Sequence, residues 1–67
     1  MFITLSKFVS AGVHRNVCVN SDSIAYIEES EGLNPDVGSI VVFMEKGSVN
    51  MECEQSYGQI DSKLNPA

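Results

Sequence analysis

Tryptophan is missing from this 67-residue chain, histidine occurs once, and proline and cysteine occur twice each. Two cysteines allow at most one disulfide, and with His14 they fall short of the four Cys/His ligands of a structural zinc site. No apolar run approaches the roughly 18 residues needed to cross a bilayer, so no transmembrane helix is expected. The opening Met-Phe-Ile-Thr-Leu-Ser-Lys has neither a positive n-region nor a cleavage pattern, so a signal peptide is not expected either. These absences imply a cytoplasmic protein with reduced cysteines. Basic residues are also scarce, four against nine acids, for a net charge of −5. Such a chain lacks the electrostatic footprint of a nucleic-acid binder, whose affinity comes largely from phosphate neutralisation.

What is present is a 43% hydrophobic share, too high for a disordered chain. Residues 1–67 make one small domain, close to the lower limit at which a chain buries a core by itself. A core of that size supplies only about 3–5 kcal/mol, and association with other chains is a usual remedy. The charge is uneven: between Asp22 and Glu54 lie eight acids against Lys46 alone, a local net of −7. Those acids either solvate exposed strand faces or form a patch that docks a basic protein or competes for a nucleic-acid site.

Hydrophobic alternation organises the chain. Ile3 and Leu5 mark the core face of a first strand over Met1–Phe8, leaving Phe2 and Phe8 on the other side. Ser10-Ala11-Gly12 is a turn, and Val13–Asn20 returns as a second strand, with Val17 and Val19 on one face. Asn20, Ser21, Asp22 and Ser23 compete for local backbone groups, which favours a polar corner or a single helical turn. A third strand follows over Ile24–Glu28. The Ser30–Gly38 loop, with two glycines and an Asn-Pro-Asp turn signal, is the best candidate for a partner-binding segment. Ser39–Glu45 is apolar on both faces, Ile40, Val42 and Met44 on one and Val41 and Phe43 on the other. The first set is assigned to the core. Val41 and Phe43, joined by Phe2 and Phe8, are then left for a subunit interface. Lys46-Gly47-Ser48 makes a tight turn into Val49–Glu54, with Val49, Met51 and Cys53 inward. Ser56-Tyr57-Gly58-Gln59 reads as a capping box, opening a short helix that packs Tyr57, Ile60 and Leu64 onto the sheet and ends at Asn65-Pro66.

The expected fold is therefore mainly β (α+β): a small antiparallel sheet or half-barrel of four or five strands with one short C-terminal helix. The pattern V-x-V-N-x-D-x-I-x-x-I-E-E at Val17 to Glu29, followed by Ile40, Val42, Gly47, Val49, Met51, Glu54, Ser56, Ile60 and Leu64, resembles the FlbD-like family of small bacterial proteins. The resemblance implies the same sheet-plus-helix fold and a flagellar-associated structural or assembly role, with related short chains among phage accessory proteins. The Ser30–Gly38 loop is longer than that pattern expects, and Phe8, Phe43 and Cys53 depart from it. The strand–Asn–Ile–hairpin order also resembles the end of LytTR-type DNA-binding domains, without their basic contact positions.

No catalytic constellation stands out, and the chain is read as a binding protein, not an enzyme, with no cofactor and no metal. Glu28 and Glu29 are adjacent and point to opposite faces, whereas Glu52 and Glu54 share one. With a neighbouring strand they make either a carboxylate cluster for a hard cation or a solvated acidic face. Cys18 shares a side with His14, but buried, inert thiols are the default. Three functions from different classes follow. The first is a regulatory or inhibitory protein, of a kind phages use against host defence, acting on a protein partner through Glu28, Glu29, Glu31, Leu33, Asp36, Glu52 and Glu54. The second is a homo-oligomer that sequesters a small phosphorylated ligand, such as a signalling nucleotide, with Lys7, His14 and Arg15. The third is a structural or assembly module.

Overall fold

The computed structural model describes residues 1–66. Five strands, β1 (Phe2–Ser10), β2 (Val13–Asn20), β3 (Ile24–Glu29), β4 (Ser39–Phe43) and β5 (Met51–Cys53), are followed by one helix, α1 (Tyr57–Leu64). All pair antiparallel in the order β2-β1-β5-β4-β3. The expected fold class is the observed one, a mainly β protein with a short C-terminal helix.

The polar corner explains the curvature of the sheet. β2 and β3 are consecutive in the chain yet lie at opposite edges, joined by a single 3-10 turn, Ser21–Ser23. A flat five-stranded sheet would hold its edges about 19 Å apart, at roughly 4.8 Å per strand. The four steps from Asn20 to Ile24 reach at most about 14 Å even when fully extended. The sheet must therefore curl until its two edges approach at this end, which is the half-barrel. Asn20 caps the turn by accepting from Asp22 N at 3.0 Å, and Ser21 N donates to Met1 O at 2.7 Å.

Inside the curl lies the core: Ile3, Leu5, Val41, Met51, Cys53 and Ile60, with Val17, Val19, Ile24, Ile27, Phe43 and Leu64 packed around them. Cross-strand partners share a face, so the register tells which side chains meet. Ile3 opposes Val19 and Leu5 opposes Val17, Val41 lies between Ile27 and Met51, and Ser39 lies between Glu29 and Cys53. A shift in the β3–β4 register between Ile24 and Tyr26 lets Ile24 and Ile27, three apart, both reach the core.

Here the structure overturns the facing assigned to β4. Val41 is fully buried and Phe43 packs against the core, so neither is free for a subunit interface. Ile40 and Val42 are the residues on the convex side, and Met44 lies beyond the strand, exposed. Val49, expected inward, is 86% exposed in the connection before β5. That connection is longer than a tight turn, with Gly47 at φ 87° and Ser48 N donating to Glu45 O at 3.1 Å.

The C-terminal helix closes the concave side. Its capping box is complete: Ser56 Oγ accepts from Gln59 N at 3.2 Å, and Gln59 Oε1 accepts from Ser56 N at 2.8 Å. Ile60 is fully buried and Leu64 partly so, while Tyr57 keeps 41% of its surface in solvent.

A candidate protein-binding face

The convex face is assembled from alternate residues of every strand. Across β3, β4 and β5 runs the row Glu28–Ile40–Glu52, and beside it Tyr26 pairs with Val42. On the first hairpin Phe8 opposes His14, their rings 5.9 Å apart and edge-on. Ile40, Val42 and Phe8 are half-buried, whereas Phe2 and Tyr26 are 68% and 54% exposed. Among the described residues no helix covers this side; Tyr26 is exposed, Phe8, Ile40 and Val42 are partly exposed, and the carboxylates of Glu28, Glu52 and Glu54 border them.

The Ser30–Gly38 loop folds over one part of that face and is fixed at both ends. Ser30 N donates to Gly38 O at 3.2 Å and Ser30 Oγ donates to Val37 O at 2.8 Å, closing its neck. Asn34 Oδ1 accepts from Asp36 N at 3.0 Å, an Asx turn that suits the Asn-Pro-Asp signal. Asp36 then ties the loop to the β1–β2 hairpin: its Oδ2 accepts from Gly12 N at 3.0 Å, and its carbonyl oxygen lies 2.9 Å from His14 Nε2. A carbonyl only accepts, so Nε2 carries the proton in this contact. His14 Nδ1 sits 3.7 Å from Glu54 Oε2, an ion pair when the ring is doubly protonated. Between loop and sheet lies a cleft of about 290 Å³ lined by Leu33, Val37 and Ile40, with Glu31 and Glu52 at its walls. Val37 is buried beneath the loop, and Leu33 at its tip is 86% exposed.

The residues singled out from the sequence distribute as follows. Glu28, Glu31, Leu33, Glu52 and Glu54 come together on or above the convex face. Asp36 belongs to the loop but spends its carboxylate on Gly12 N. Glu29 does not join them: it pairs with Ser39 and so lies on the helix side. Glu28 and Glu52 are two strand spacings apart at the backbone, about 10 Å, with Ile40 between them. Among the described residues no group of three or more His, Cys, Asp or Glu converges as metal ligands.

The basic trio is split. Lys7 and Arg15 are direct cross-strand partners on the helix side, whereas His14 points to the convex side and is held by Asp36 and Glu54. The three therefore cannot grip one anion together. Cys18 is exposed on β2, and Cys53 is buried in the core, where burial pushes its thiol up to about 11. A thiol so raised is not a nucleophile at neutral pH.

Tyr26, Ile40 and Val42 are the site residues that sequence reading missed. The spacing Ile24-x-x-Ile27 was the available signal, because two core residues three apart on a strand require an extra residue and turn Tyr26 outward. Comparison of the chain with protein-family models, with curated proteins and with solved structures gives no match in any of the three.

Proposed function

We propose that this chain is a non-enzymatic binding protein that docks a basic partner protein on its convex sheet face. The observation that carries this reading is the partly exposed apolar strip of Phe8, Ile40, Val42 and Tyr26, fringed by Glu28, Glu52 and Glu54 and overhung by Leu33. The apolar centre supplies contact area, and the carboxylate border steers a cationic surface and rejects acidic ones. Occupying a partner's surface in this way is regulatory or inhibitory in effect. The FlbD-like resemblance fits the same use, that of a small accessory chain working through contact and not turnover.

The test is affinity capture at low salt with the tagged chain beside its Glu28→Lys/Glu52→Lys variant. Both positions are exposed, so the variant keeps its core. Basic proteins retained by the parent and lost by the variant support the reading. For a partner so obtained, association should slow by about tenfold or more in the variant at low salt and by less at high salt. An unchanged partner set, or salt-independent association, overturns it.

A further inference from the structure

A second site, which meets the convex face at Tyr26, lies where α1 passes beneath the edge strand β3. A groove of about 420 Å³ there is lined by Ile24, Ala25, Tyr26 and Ile27 on one wall and Tyr57, Asp61 and Leu64 on the other. Four consecutive residues of a strand cannot all present side chains to one cavity, because neighbours point to opposite faces. That wall is therefore the edge of β3, its main chain included, and not a face of the sheet. β3 is the last strand in the order, so its outward N–H and C=O groups have no strand partner. The groove's apolar part comes from Ile24, Ile27 and Leu64, which are among the partly buried residues packed against the core, and Ser21, Asp61 and Asn65 make the rest polar.

We infer that this groove takes an extended segment of another protein, added antiparallel or parallel to β3 as a sixth strand, with alternate apolar side chains resting against α1. An unpaired strand edge beside a helix is the arrangement by which sheets capture peptides: main-chain hydrogen bonds hold the segment and the groove selects every second side chain. The charges specify the rest of the occupant. Asp61 is in the wall and Glu28 and Glu29 continue β3 at one end, while Asp22 at the other end faces the Met1 amino group at 3.9 Å and Lys63 does not line the groove. The segment is therefore one that alternates apolar residues with lysine or arginine.

The probe is a short acetylated, amidated peptide of alternating valine and lysine, titrated to about 1 mM against the 15N-labelled chain. Amide shifts should appear at Ala25–Ile27 and at Tyr57, Asp61 and Leu64. The same peptide N-methylated at alternate positions loses the donors of one edge and should bind at least about tenfold more weakly. Asp61→Lys, an exposed change, should also weaken binding, most at low salt. Absence of shifts, shifts confined to β2 or the convex face, or equal binding of the N-methylated peptide overturns the inference. So does protection of the β3 amides that grows with protein concentration without peptide, which would assign the edge to a second copy. Glu28 borders both sites, so the convex face is read on its own by Glu52→Lys alone, a change on β5 that leaves β3 and this groove untouched.

Discussion

Gly38 shows how one residue sets the geometry of the site. A Cβ built there would lie 2.6 Å from Glu54 O and 2.7 Å from Gln55 O, both backbone atoms that cannot swing aside. The close approach exists because Gly38 N donates to Cys53 O at 2.8 Å and Ser39 Oγ donates to Gln55 O at 2.7 Å. These bonds pin the end of the loop to the exit of β5, and Gln55 Oε1 extends the junction by accepting from Ser6 N at 2.9 Å. Gly38→Ala should therefore destabilise by about 1–3 kcal/mol, the range for forcing extra volume into packed structure. Urea denaturation measures it, and a midpoint equal to that of the parent would show that the junction is looser than its distances imply. In the sequence this glycine reads only as a loop residue. Nothing local distinguishes a glycine needed for a turn from one needed because another backbone lies against it, since the contact is made by residues far along the chain.

At the scale of elements, legibility follows the clarity of each alternation. Leu5, Val17, Val19, Met51 and Cys53 each have polar or small neighbours, Ile3 has Phe2 on one side and Thr4 on the other, and all three strands face as their patterns imply. β4 has apolar residues at both parities, so its pattern is silent and its facing was assigned inversely. The adjoining hairpin held the answer. A tight turn at Lys46–Ser48 pairs Glu45 with Val49, hence Phe43 with Met51, and the observed register pairs Val41 with Met51. Either register puts the odd residues of β4 on the face of Met51 and Cys53, because a shift of two preserves parity. The helix was legible because its cap is local: donor and acceptor both lie within Ser56–Gln59. At eight residues α1 is too short to persist alone in water, so its cap and its packing must act together. Ser56→Ala removes the acceptor for Gln59 N and should cost about 1 kcal/mol in chemical denaturation. A neutral outcome would mean that Ile60 and Leu64 anchor the helix without help from its first turn.

For the whole molecule the question is what the uncovered face does in the absence of a partner. A dimer built on Phe2, Phe8, Val41 and Phe43 loses two of its four residues to the core, yet Ile40, Val42 and Tyr26 replace them on the convex side, so an apolar patch survives. What changes is its electrostatic setting. Glu28 and Glu52 flank Ile40 within the patch itself, and a two-fold contact would set these carboxylates against their own copies. Like charges brought face to face at an interface cost several kcal/mol, comparable to the roughly 2–3 kcal/mol gained by burying one large apolar side chain. Self-association through this face should therefore be suppressed at low salt and neutral pH, and should rise as salt screens the repulsion. Glu28→Gln/Glu52→Gln should raise it further at the same salt. Light scattering across a dilution series at low and high ionic strength reads the mass directly. A dimer strongest at low salt would show that its contact lies elsewhere, and a parent and a Gln variant with the same mass throughout would show that the carboxylates do not govern which surface this face accepts.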